Sequence, residues 1–111
     1  MPKTKGADEM TVFAWILFIS CCSHLPATIV TSIFDDDVPG MVVGILSSIF
    51  AGIYLAAYLF FAPLGVVWTG IAIGVAALAI MVGAFCEGLY TKFVGFAHNV
   101  ALIVFYILLL C

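Results

Sequence analysis

GMVVGILSSIFAGIYLAAYLFFAPLGVVWTGIAIGVAALAIMVGAF, residues 40–85, holds no charged side chain. About 20 apolar residues cross the hydrocarbon of a bilayer once. The run is therefore too long for one crossing, and too apolar for a surface in water. It reads as two helices. Ala62-Pro63-Leu64-Gly65 is the place to turn, because proline cannot continue a helix and glycine accepts turn geometry. The second span is then about 40–62 and the third about 64–85.

Working outward, another apolar run extends from Thr11 to Phe34 and stops at Asp35-Asp36-Asp37. Asp37, followed by Pro39 and Gly40, is a helix-start signal: an N-cap carboxylate with proline in the first turn. On the other side, residues 93–111 form a last apolar run, barely long enough to span. The charged side chains fence these runs. Lys3, Lys5, Asp8 and Glu9 lie in the N-terminal tail, the three aspartates in one cluster, and Glu87 with Lys92 in another. A charge at the centre of a spanning helix costs roughly 2.5–3.5 kcal/mol on insertion scales, so the gaps between clusters belong in hydrocarbon. Strands that cross membranes alternate apolar and polar residues, and these runs do not. The fold expected is an all-α integral membrane protein. It is a four-transmembrane-helix bundle with short loops, one domain over residues 1–111, spans at about 11–34, 40–62, 64–85 and 93–111, and a tail at 1–10.

Composition agrees. Hydrophobic residues make up 67% of the chain and charged residues 8%, against about half and about a quarter in soluble domains. There is no arginine and the net charge is −3, so nucleic acid is not an expected partner. The lipid bilayer is, together with self-association or other membrane subunits. Lys3 and Lys5 before an apolar run resemble a secretory signal, but the run is too long for a signal core and cleavage is not expected. Cys21, Cys22 and Cys111 sit inside apolar runs and suggest no disulfide framework; Cys111 is the better site for acylation. Two of the three lysines lie in the tail, which by the positive-inside rule puts both termini in the cytoplasm, with Lys92 as a contrary vote. Trp15 and Trp68 then fall at the cytoplasmic ends of the first and third spans. Which membrane is involved is not readable.

Helix faces carry the next layer. Ser20, His24, Thr28, Thr31 and Asp35 recur at helical spacing on the first span. Such a polar stripe should face other helices, another subunit or water, because lipid offers it no hydrogen bonds. Pro26 frees the carbonyl of Cys22 and is expected to kink the helix beside His24. Gly40 and Gly44 open the second span at a spacing that suits close helix contact, with Ser47, Tyr54 and Tyr58 near the same face. Gly70, Gly74, Ala77, Ala84 and Gly88 line one side of the third region. Gly95, Asn99 and Tyr106 share a face of the fourth.

His24 lies near the middle of a span, where an ionisable group is by default a functional candidate. With Asp35, Glu87, His98 and Asn99 it outlines a conceivable proton or cation path, since imidazole exchanges protons near neutral pH. The competing reading is a neutral His24 that only fixes packing. A haem between the two histidines, or a metal on Cys21, His24 and Cys86, finds no supporting spacing, so no cofactor and no metal are expected. No G-x-S-x-G, HExxH or phosphate-cradling loop is present, and no enzymatic activity is expected. The leading expectation is a small, non-catalytic tetraspan subunit of a membrane assembly. The alternative is an oligomeric proton or cation channel, or a small transporter, using His24 and the acidic loop.

Overall fold

The uncharged run does turn. In the computed structural model, which describes residues 5–61, 64–86 and 88–110 and side chains from Glu9 onward, its two halves are separate helices. Helix α1 is Lys5–Asp35, α2 Val38–Phe60 and α3 Gly65–Gly83. A π-helical segment, Tyr90–Gly95, leads directly into α4, Phe96–Leu110. No strand occurs among the described residues. Four segments, Glu9–Asp35, Val38–Phe60, Gly65–Gly83 and Tyr90–Leu110, are long and apolar enough to cross a membrane.

The ends differ from the sequence expectation in two places. Helix α1 begins within the tail, at Lys5, and runs through Pro26 as one helix. The fourth segment long and apolar enough to span begins at Tyr90 rather than residue 93, because the π-helical segment winds the Lys92 region into the bundle. At the expected turn α2 ends at Phe60, and Gly65 opens α3 with φ +87, a left-handed value that glycine adopts without a Cβ clash. Ala62, Pro63, Glu87 and Cys111 lie outside the described residues.

Short connections make neighbouring helices antiparallel. Helix α1 packs chiefly on α2 and α3 on α4, with α2 against α3 joining the two hairpins. Buried Leu55, Leu102, Phe105, Tyr106 and Ala14 form the core. Phe13 and Tyr58 meet the Phe105 ring edge-on at 5.4 and 5.5 Å, a favoured aromatic geometry. Tyr54 and Thr69 share a 2.6 Å hydrogen bond, and Thr69 donates to the Gly65 carbonyl at 2.7 Å. The Thr69 proton is thereby used, so Tyr54 is the donor between them. This pair ties α2 to α3 near their turn.

At the opposite end α1 stops in a Schellman motif. Asp37 N–H donates to the Ser32 carbonyl at 2.9 Å and Asp36 N–H to Ile33 at 3.3 Å, with Asp36 at φ 54. Glycine is preferred at that left-handed position. Asp36→Gly is therefore expected to raise stability by about 0.5–1 kcal/mol, read as a small upward shift of the thermal midpoint in detergent. An unchanged or lower midpoint would show that the Asp36 side chain offsets its backbone cost.

The α3 packing face lies one position from the expected one. Thr69, Ala72, Ala76, Ala79 and Gly83 are buried, whereas Gly70 and Gly74 are exposed and a Cβ on either would meet nothing within 4 Å. Ala77 is half-buried and Ala84 exposed. The Tyr54–Thr69 bond turns the alanine side inward. Gly40 and Gly44 do serve close contact. A Cβ on Gly44 would run into the Thr28 side chain, and one on Gly40 into the carboxylate of Asp37 and the hydroxyl of Thr91.

Candidate functional site

The polar residues of α1 sort into three groups. His24 and Thr28 are buried, together with Cys21 and Ser32. Ser20 and Thr31 are half-buried, and Asp35 is exposed. Thr31 donates to the Ala27 carbonyl of its own helix at 2.7 Å, which satisfies it locally. The inward stripe is thus Cys21, His24, Thr28 and Ser32, rotated slightly from the one containing Thr31 and Asp35. Asp35 at the helix end takes no part in the interior site.

Opposite His24 stand Tyr90 and His98, one on the π-helical segment and one on α4. The His24 ring stacks on His98 at 4.7 Å and on Tyr90 at 5.3 Å, each with a 22° interplanar angle. Its Nδ1 lies 3.1 Å from the Tyr90 hydroxyl. His98 is held on both nitrogens: Nδ1 is 2.9 Å from Ser20 Oγ and Nε2 3.4 Å from Cys21 Sγ. A neutral imidazole offers one donor and one acceptor, so His98 is fully engaged and serves to lock α4 onto α1. His24 has only Tyr90 as a hydrogen-bond partner among the described residues. Ring nitrogens lie in the ring plane, so stacked rings do not direct two of them at one iron between them; the arrangement does not fit a shared haem. Cys86 does not join Cys21 and His24. It sits beyond α3, with its Sγ 3.5 Å from the Val82 carbonyl. Burial, with the Asp37 carboxylate adding, pushes its thiol above the ordinary value, and Lys92 opposes.

His24 borders a cavity of about 40 Å3 that Thr28, Ser47, Thr91, Lys92 and Asn99 also line. Asn99 is only 5% exposed. Its Nδ2 donates to the Gly95 carbonyl at 2.8 Å, while its Oδ1 is buried without a hydrogen-bond partner. Gly95 and Tyr106 are buried along with it. No carboxylate among the described residues lines this cavity.

The acidic cluster plays a different part from an open ring of charge. Asp35 and Asp36 are exposed, but Asp37 is buried. Its Oδ1 accepts from Gly40 N–H at 3.1 Å, which is the expected N-cap bond. Its Oδ2 accepts from Gly88 N–H at 3.1 Å and from the Thr91 hydroxyl at 3.4 Å. One carboxylate therefore joins the α1–α2 connection to the segment before α4. A Cβ on Gly88 would stand 2.5 Å from Oδ2, so only glycine allows the approach.

Sequence reasoning missed Tyr90, Thr91 and the Asp37–Gly88 contact. Tyr90 lies eight positions before His98, a helical spacing that could have placed it on the same face had the fourth span been started earlier. Glu87, a candidate in the path, lies outside the described residues. Comparison with family models, with curated proteins and with solved structures finds no match to this chain.

Proposed function

We propose that the chain is a multi-pass membrane protein acting as a non-catalytic subunit of a membrane assembly. Its outer surface supports the bilayer reading: Ile33, Phe34, Ile53, Val66, Met81 and Phe85 are all exposed, which suits lipid and not water. The observation that carries the assembly reading is a groove of about 280 Å3 on the outer side of α1 and α2, lined by Cys22, Leu25, Ser48, Ile49, Gly52 and Ala56. Ser48, Gly52 and Ala56 put small side chains one turn apart, which lets another helix approach closely. Ser48 is 4% exposed and its hydroxyl has no hydrogen-bond partner. That hydroxyl is closed off from the groove, so what the groove offers an incoming helix is its shape and its row of small residues. The occupant is a membrane helix of a further subunit, with a second copy of this chain the first to test.

A Cβ on Gly52 meets nothing within 4 Å, so Gly52→Leu fills the groove without disturbing the single chain. Native mass spectrometry from mild detergent is expected to show the wild type as an oligomer or in fixed ratio with other subunits. Gly52→Leu should shift it at least about tenfold toward the free chain, since one good contact of about 1.4 kcal/mol corresponds to that factor. A wild type that is a lone monomer, or a variant that assembles equally well, overturns the reading.

Proton or cation carriage is the second reading, favoured by the buried His24–His98 stack. The cavity beside His24 speaks against a cation, because Lys92 lines it and the Asp37 carboxylate is engaged by donors elsewhere. A proton flux in liposomes that His24→Ala abolishes, with the fold intact, would reverse the ranking.

A further inference from the structure

The π-helical segment Tyr90–Gly95 is held from two sides. Thr91 and the preceding Gly88 N–H bond the Asp37 carboxylate, and Tyr90 bonds His24 Nδ1 at 3.1 Å. The second hold depends on a proton. The Tyr90 hydroxyl has no acceptor other than this nitrogen among the described residues. The phenol therefore donates, Nδ1 accepts, and the ring's own proton sits on Nε2. That is the neutral imidazole. Nε2 has no hydrogen-bond partner among the described residues, yet it is not one of the sealed polar atoms. His24 borders the polar cavity, whose volume of about 40 Å3 exceeds the roughly 10–15 Å3 that a water needs. A proton can reach the ring there.

Protonated, the same ring fits its surroundings badly. Both nitrogens become donors, so the Tyr90 proton loses its acceptor. The groups facing the new charge do not offset it. On α1 there is Cys21, already paired with His98 Nε2. On α4 there is His98, stacked at 4.7 Å with both nitrogens engaged. The π-helical segment brings Tyr90 and Lys92, the latter an exposed cation at the cavity's edge. The residues of α2 and α3 that line the cavity include no titratable side chain. Asp37 directs its oxygens to Gly40, Gly88 and Thr91. A charge without a counter-ion in an apolar bundle is expensive, and moving the ring's neighbours so that water enters relieves it. The neighbour set on the least regular backbone is Tyr90, because π-helical turns are rare and often mark functional sites. We propose that His24 is a proton-operated latch: neutral, it holds Tyr90 and the π-helical segment against α1, and protonated, it releases them. The latch needs no proton flux and is independent of the assembly role.

The test uses the full chain in detergent micelles. Amide hydrogen exchange, corrected for its intrinsic dependence on pH, is read residue by residue by NMR, together with the His24 ring signals. The range runs from about pH 7 to about pH 4.5, which covers the ordinary imidazole value and the room below it. Exchange over Tyr90–Gly95 is expected to quicken at least about tenfold on acidification, the factor for one lost hydrogen bond, with Tyr54 and Thr69 unchanged. The step should share its midpoint with the His24 ring signals, a comparison made on the wild type alone. His24→Asn keeps an acceptor for Tyr90 and cannot titrate, so its exchange should stay flat over the same range. A His24 ring that titrates without the step, or does not titrate at all, would overturn the inference. So would a step that persists in His24→Asn, which would place the trigger at His98 or at the Asp37 carboxylate.

Discussion

Asp37→Ala is expected to lower the thermal midpoint in detergent by more than about 10 °C, equivalent to roughly 3–5 kcal/mol for a chain of this size. The reasoning is local. The carboxylate accepts from Gly40 N–H, Gly88 N–H and the Thr91 hydroxyl, and hydrogen bonds to a charged acceptor contribute about 1.5–3 kcal/mol each when satisfied. Alanine removes all three and leaves two backbone donors and the Thr91 hydroxyl without the acceptor that joined them. Losses within one network are not additive, which keeps the total below three times the single value. Asp37→Asn retains one carbonyl oxygen but presents an amide donor to groups that are themselves donors, so it should fall between wild type and alanine. Thermal unfolding followed by circular dichroism reads both. A midpoint for Asp37→Ala within a degree or two of wild type would mean that the carboxylate is solvated and joins nothing.

Gly44→Leu is expected to have the other large effect, because it acts where α1 and α2 touch. A single added carbon at Gly44 would already lie 2.9 Å from Thr28 Cγ2, closer than carbon atoms approach. Thr28 is 1% exposed and cannot swing away. A leucine must part the two helices, at a cost of about 3 kcal/mol or more, and it also occupies space beside the His24 cavity. Gly70→Leu and Gly74→Leu are the controls. Both positions are open, so each variant should stay within about 0.5 kcal/mol of wild type. The same three variants test the orientation of α3. If Gly70→Leu proves as damaging as Gly44→Leu, the face turned to the bundle is the glycine side after all.

That comparison also shows what the sequence makes legible. Four helices long and apolar enough to span, and the turns between them, follow from charge spacing, because lipid penalises an ionised side chain wherever it falls within a helix. The cap at Asp37 follows from three neighbouring residues. Neither inference needs a contact between distant parts of the chain. Helix orientation is harder. Apart from the single hydroxyl of Thr69, α3 is apolar on every side, so its pattern gives little to separate the Gly70–Gly74 face from the Ala72–Ala76 face, which lie a rotation apart. What decides it is the bond from Tyr54 to Thr69, a tertiary fact. On α1 the polar stripe is visible in the sequence with Thr31 in it, whereas the buried face takes Ser32, which the sequence reading passes over, and Thr31 bonds a carbonyl of its own helix.

The interior site was partly legible for the same reason. His24, His98 and Asn99 stand out because polar groups are expensive in apolar spans. Tyr90 and Thr91 do not, since residues beside a lysine read as a loop until the π-helical segment is seen to carry them inward. The second oxygen of Asp37 is the clearest case: its donors are too remote in sequence for any local pattern to announce them.

That remoteness bears on how the chain is made. The donors to Oδ2 lie 51 and 54 positions after Asp37, so during synthesis the first hairpin emerges with half of its carboxylate unanswered. It waits through the whole of α3. The knot at this end can close only once Gly88 and Thr91 have been made; until then the first hairpin is held to the helix that follows by the Tyr54–Thr69 bond and the α2–α3 packing at the other end.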